Sequence, residues 1–326
     1  MDKLNNGQSI QDYIDNQIAT IKKQVGSGKV ILGLSGGVDS TVCAALIGKA
    51  IGKQLTCVFV DHGCMRLNEG LEIKKAFADW PINLVMVDAE KRFLDKLKGV
   101  SDPESKRKII GGEFVRVFEE EAAKVKADYL AQGTIYPDIV ESGGDKLKGE
   151  KGHIVKSHHN VGGLPDDIGF RGVIEPLRLL YKDEVRVIGR TLGVEAILVD
   201  RQPFPGPGLS IRVIGELSKE RLDTLRLADY IFRQEIAESR LSKSINQFFA
   251  VLTPLKSVGA VDGVRTYGDV LALRAVTTTT FMEAGVAHIP YDVLLRVSER
   301  IIKEVAGVGR VVYDITPKPP GTIEWE

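Results

Sequence analysis

The chain has 326 residues, 43% of them hydrophobic and 27% charged, with Lys plus Arg and Asp plus Glu equal at 44. That length can bury a core without crosslinks and divide into two domains. The zero formal balance argues against bulk attraction to nucleic acid or an anionic membrane, and no apolar run reaches spanning length.

The opening MDKLNNGQSIQDY carries no apolar signal core, and the three cysteines form no C-x-x-C pair. A cytoplasmic setting with reduced thiols is expected, with Cys43 and Cys57 as core residues.

Ser9 opens a first helix with Asp12 three residues on. Ile10, Ile14, Ile18, Ile21 and Val25 then recur at helical spacing until Gly26-Ser27-Gly28. Short apolar strands are predicted over Val30–Leu34, Leu55–Val60, Leu84–Val87, Tyr129–Ala131 and Ile197–Val199. Helices are predicted over Thr41–Ala50, Lys74–Trp80, Glu104–Val125 and Asp183–Leu192. This alternation predicts an α/β fold: a doubly wound parallel sheet covered on both faces, with its site beyond the carboxyl ends of the strands.

Residues 142–170, rich in Gly, Lys, His and Asp, interrupt the pattern and read as a working lid. Pro203, Pro205 and Pro207 mark a boundary between 1–204 and 205–326. Beyond it, strands at Leu209–Ile214, Gln247–Leu252, Asp269–Val276 and Arg310–Ile315 join helices at Lys219–Arg240 and Tyr291–Val305 in a smaller α+β domain.

The chemistry concentrates at Ser35-Gly36-Gly37-Val38-Asp39-Ser40, where an apolar strand turns into a helix. Backbone N–H groups at such a corner converge, and the helix N-terminus adds partial positive charge. Gly36 and Gly37 allow close approach, while Ser35, Ser40 and Thr41 offer hydroxyls, so the loop reads as a phosphate cradle. Neither G-x-x-x-x-G-K-[ST] nor G-x-G-x-x-G is present. Asp39 would repel phosphate unless a cation lay between them, which points to Mg²⁺ with Asp39 as its ligand.

SGGVDS resembles the pyrophosphate loop of ATP pyrophosphatases, enzymes that adenylate a carbonyl-type oxygen. Taken alone, the loop leaves xanthosine monophosphate (XMP), a nicotinate dinucleotide, citrulline or a tRNA base open as substrate. TCVFVDHGCMRLNE, ESKRKIIGGEF, LAQGTIYPDIVES, KSHHNVGGLP, EPLRLLYKDEVR, PFPGPGLSIRV and RVVYDITPKPPGTIEWE resemble GMP synthase from about Ser9 to the last residue.

The resemblance implies ATP-dependent amination of XMP by ammonia. The usual enzyme begins with a glutaminase domain, for which there is no room before Ser35, so the resemblance implies either a stand-alone synthetase subunit with a separate glutaminase partner or a chain trimmed from a longer protein. It also implies a homodimer formed through the second domain. Ser35, Gly36, Gly37, Val38, Asp39, Ser40 and Thr41 would then hold the β and γ phosphates of ATP.

Phe59 and Val60 would border adenine, and Gly133 with Thr134 would pass close to the nucleotide. Lys156 would close over ATP from the lid, next to His158 and His159. Arg107 would approach the XMP phosphate, and Lys318, Thr322, Ile323 and Glu324 would form an XMP-binding terminus.

Overall fold

The computed structural model describes residues 3–141, 169–261, 263–279 and 282–326. In chain order the elements are α1 (Ile10–Val25), β1 (Val30–Gly33), α2 (Val38–Ile51), β2 (Leu55–Asp61), α3 (Glu69–Ala76), β3 (Asn83–Asp88) and α4 (Glu90–Leu97). They continue with α5 (Pro103–Val125), β4 (Tyr129–Ala131), α6 (Tyr136–Glu141), β5 (Gly172–Ile174), α7 (Lys182–Thr191) and α8 (Ala196–Val199). The remainder are α9 (Lys219–Glu238), β6 (Gln247–Val261), β7 (Val264–Thr277), β8 (Gly285–Val286), α10 (Tyr291–Glu304) and β9 (Val308–Asp314). Among the described residues no helix is long and apolar enough to cross a membrane.

Two compact units result. The first comprises Met1–Asp61, Glu69–Ala89 and Gly111–Arg201, the second His62–Asn68, Glu90–Ile110 and Gln202–Glu326.

In the first unit, Ser9 Oγ accepts from Asp12 N to start α1, and Gly26 at φ 54° ends it. The helix buries Ile10, Tyr13, Ile14, Ile21 and Val25 and packs on α2. All five strands run parallel, in the order β3-β2-β1-β4-β5. β1 and β2 are buried along nearly their whole length, which explains why they read as unbroken apolar runs and not as alternation. The chain travels outward from β1 through β2 to β3, then returns to the opposite side of β1 for β4 and β5. The order therefore reverses between β1 and β4, and the crevice at such a reversal is where α/β sheets bind ligands.

The second unit is built on the β6–β7 hairpin, with β8 antiparallel and β9 parallel to β7. α9, capped by Ser218 Oγ, packs on β6 and on α10, and α10 also packs on β9.

The structure corrects four expected elements. The helix expected over Lys74–Trp80 is α3, Glu69–Ala76, and Phe77–Trp80 form a turn beyond it. Ile197–Val199 lies in the helical turn α8, not in a strand, because a three-residue apolar run does not distinguish a buried turn from a buried strand. Leu209–Ile214 is mostly a 3-10 segment over Gly208–Arg212, and Val213 alone bridges to Leu252. Its entry is dictated by Gly208 at φ +63°, where a Cβ would stand 2.2 Å from the Cys64 carbonyl oxygen. Finally, β6 does not stop at Leu252. It passes a register shift between Leu252 and Lys256, at Pro254, and resumes to Val261.

Candidate active site

β1 ends at Gly33, and the turn into α2 sits beside the switch point. Gly36 occupies the left-handed region at φ +76° and is buried, with Ser35 and Gly37 exposed on either side. A Cβ on Gly36 would lie 3.0 Å from Arg201 Nη1 and 3.3 Å from Glu69 Oε1, so this position needs glycine for both conformation and space.

Gly37 is the N-cap of α2, and no side chain caps the helix. The first-turn amides of a 14-residue helix are thus free of a capping side chain, the arrangement that receives anions. The hydroxyls sit close by. Ser35 Oγ and Ser40 Oγ are 3.1 Å apart, and Ser40 Oγ donates to Gly37 O at 3.1 Å.

Asp39, half-buried in that first turn, pairs through Oδ2 with Lys182 Nζ at the start of α7. Among the described residues its other oxygen, Oδ1, is buried without a hydrogen-bond partner, as is Thr41 Oγ1. Burial pushes the Asp39 carboxyl above its ordinary pKa, and Lys182 opposes that rise. A half-satisfied, desolvated carboxylate facing an anion cradle fits a hard cation shared with phosphate oxygens. Among the described residues there is no group of three or more His, Cys, Asp or Glu that could hold a metal ion.

From the neighbouring strand, Gly133 follows β4 and closes on the same turn. A Cβ there would meet Asp39 C and Ser40 N at 3.0 Å and Asp39 O at 3.1 Å. Thr134 beside it is buried. The structure thus brings Ser35 through Thr41, Gly133 and Thr134 into one place. Phe59 and Val60 lie at the carboxyl half of β2, but the two residues are only 1% and 3% exposed, so they are core residues of the strand.

Sequence reasoning missed three residues at this loop. Lys182 is one. The others are Arg201, which donates to Gly36 O at 2.9 Å, and Glu69, which holds Arg201 Nη2 at 2.9 Å. Arg201 and Glu69 side chains are 8% and 1% exposed, so the Gly36 carbonyl is turned onto a buried ion pair. Glu69 and Lys182 fall inside segments quoted for the resemblance but without an assigned role, and Arg201 lies outside all of them. Lys182 is 143 residues from Asp39 and Arg201 is 165 from Gly36.

Arg107, Lys318, Thr322, Ile323 and Glu324 belong to the second unit. Arg107 Nη2 donates to Glu326 O at 2.7 Å, and its neighbour Lys106, fully buried, binds Glu326 Oε2 at 2.7 Å. Lys318 exchanges backbone hydrogen bonds with Ala284 and lines a cleft of about 480 Å³ with Asn246, Thr277, Thr278, Thr279, Glu283 and Gly285. Glu324 spends both oxygens on Arg212, at 2.8 and 3.0 Å. The Thr322 hydroxyl donates to Glu324 O, and Ile323 packs on Phe249, Val251 and Ala272. Lys156, His158, His159 and nearly all of the expected lid lie outside the described residues.

A parallel sheet with its order reversing at β1, and a glycine loop there opening an uncapped helix, make an α/β domain like that of NAD synthetase-type ATP pyrophosphatases. Residues 8–83 match the family model described as NAD synthase, and residues 234–325 match the one described as GMP synthase C terminal domain. The chain therefore carries a GMP synthase C-terminal domain behind an NAD synthase-like domain.

Among curated relatives it is similar to the "GMP synthase [glutamine-hydrolyzing]" of Finegoldia magna, at 59% identity over 326 residues and 99% of this chain. It is similar also to those of Ruminiclostridium cellulolyticum (60% over 320 residues, 97% of this chain) and Treponema denticola (58% over 319, 98% of this chain). It spans 63%, 61% and 60% of the lengths of these three relatives.

Proposed function

We propose that this chain catalyses the ATP-dependent amination of XMP to GMP, with ammonia delivered by a separate glutaminase. The observation that carries the proposal is the coexistence, in one chain, of an uncapped phosphate cradle with an unsatisfied carboxylate and the match of residues 234–325 to the GMP synthase C-terminal domain.

In the first half-reaction the C2 oxygen of XMP attacks the α-phosphorus of ATP. The bond to the bridging oxygen breaks and pyrophosphate leaves, giving adenylyl-XMP. In the second, ammonia adds at C2 and loses a proton, and AMP departs with the former C2 oxygen.

The α2 amides and the Ser35, Ser40 and Thr41 hydroxyls hold the departing pyrophosphate, where charge builds up. Asp39 would hold Mg²⁺ there, and the ion would supply charge neutralisation for the departing pyrophosphate. Lys182 orients Asp39 and opposes the rise in its pKa, and Arg201 holds the Gly36 carbonyl. Neither half-reaction needs a protein nucleophile. That agrees with Cys43, Cys57 and Cys64 all being buried, with burial raising the Cys43 and Cys57 thiols far above the reactive range.

Arg107 and Lys318 recognise the XMP phosphate, with Thr322, Ile323 and Glu324 shaping the purine side. Lys156 closes over ATP. The second unit forms a twofold homodimer, and the enzyme works in the cytoplasm without nucleic-acid or membrane partners.

The test is an assay with ATP, Mg²⁺, XMP and ammonium, reading AMP, pyrophosphate and GMP. Asp39→Asn is expected to abolish pyrophosphate release, and Lys318→Ala to raise the XMP requirement. Folded chain that yields no GMP at high ammonium would reject the proposal. Pyrophosphate release with a nicotinate dinucleotide in place of XMP would instead favour NAD synthase chemistry.

A further inference from the structure

Arg274 lies on β7, the middle strand of the second unit's sheet, and is 0% exposed. A buried guanidinium must satisfy a rigid fork of donors. Arg274 does so on the segment that follows β9. It pairs with Asp314 Oδ2 at 3.3 Å and donates through Nη1 to Thr316 O. Its Nη2 donates to Thr322 O at 3.0 Å and its Nε to Ile323 O at 3.4 Å. One planar group thus grips the chain on both sides of residues 317–321, the stretch that carries Lys318.

The stretch is closed further from within. Gly321 N donates to Pro317 O at 3.0 Å, and Lys318 N donates to Ala284 O at 2.8 Å. Asp314, the fork's ionic partner, also accepts from Trp325 Nε1 at 2.9 Å, which ties the far end of the tail to the same centre.

We propose that Arg274 is a positioning residue for substrate recognition: it closes residues 317–321 into a preorganised loop and so sets where the Lys318 ammonium meets an anionic substrate. The inference rests on the reading that Lys318 contacts the XMP phosphate. The physical reason is entropic. A loop pinned at both ends has already given up its closure freedom, so binding does not have to supply it. Arg suits the task where Lys does not, because two arms of one plane reach two carbonyls at once, whereas an ammonium is a single point of contact.

The test uses Arg274→Lys in the full chain, with amide hydrogen exchange across 313–326, equilibrium binding of XMP, and steady-state kinetics. Exchange at Lys318 and Gly321 is expected to quicken about tenfold, and the XMP KM to rise about tenfold, as lost preorganisation acts on affinity. Turnover at saturating XMP and the KM for ATP should change less than about threefold, since the interaction is with ground state and transition state alike.

Exchange that does not quicken, or quickened exchange with unchanged XMP affinity, overturns the inference. Should Arg274→Lys fail to fold, Asp314→Asn decides in its place, with the same direction of change expected and the same results overturning it. Absence of XMP binding by the unmodified chain would instead defeat the reading of Lys318, while the exchange rates still report whether Arg274 holds the loop.

Discussion

Gly133→Ala tests whether the β4 end and the first turn of α2 are packed to the limit. Gly133 does not lie in the left-handed region, so alanine meets no backbone strain and the cost is contact alone. The new Cβ would stand 3.0 Å from Asp39 C, 3.0 Å from Ser40 N and 3.1 Å from Asp39 O. Comfortable carbon contacts lie at about 3.5–4.0 Å, so the two segments must part by about 0.5 Å or more. All three obstructing atoms are backbone, and no side chain can swing away.

Overpacking of this kind costs about 1–3 kcal/mol. A displacement of 1 Å at a reacting centre can cost about a hundredfold in rate, so half of that predicts a loss of about tenfold in kcat. The assay is XMP-dependent pyrophosphate release, with thermal unfolding alongside. Wild-type turnover together with an unchanged melting temperature would refute the packing argument. Wild-type turnover in a clearly destabilised variant would mean that the α2 turn does not have to be held so closely for chemistry.

Three further outcomes are expected. Gly111→Ala, exposed on α5 with no atom of the other described residues beyond its own helix backbone within 4 Å of the added methyl, should stabilise the chain by about 0.5–1 kcal/mol in urea unfolding, and a loss of stability would contradict it. Asp39→Asn should raise the melting temperature near pH 7.5. A carboxyl whose pKa is raised on folding contributes stability below its unfolded pKa and loses it as pH rises through the folded value, so the advantage of Asn should shrink in acid, and an equal or lower melting temperature at pH 7.5 would count against it. Arg201→Lys keeps a charge near Glu69 but cannot serve both Glu69 and Gly36 O, so the KM for ATP should rise about tenfold with the loop loosened, and an unchanged KM would remove Arg201 from the loop's support.

What the amino-acid order determined by itself is local and periodic. The 3.6-residue spacing of α1, the apolar runs of β1 and β2, and the glycine loop between Gly33 and Val38 are legible because each is specified by neighbours within a few residues. The proline-rich stretch after Arg201 was legible as an interruption for the same reason, since proline denies a backbone donor wherever it stands.

Tertiary structure decided whatever depends on distant partners. β5 is three residues long and exists because β4 offers it an edge. Val213 is a lone bridge because Gly208 beside Cys64 bends the chain before a strand can form. The support of the candidate site followed the same rule. Lys182, Arg201 and Arg274 look like ordinary surface cations in the sequence, and only folding brings them to Asp39, to Gly36 and to the chain around Lys318. Of the three, Arg274 is buried and the Arg201 side chain is only 8% exposed, and such a covered cation is defined by the acceptors around it, which no local pattern of residues records.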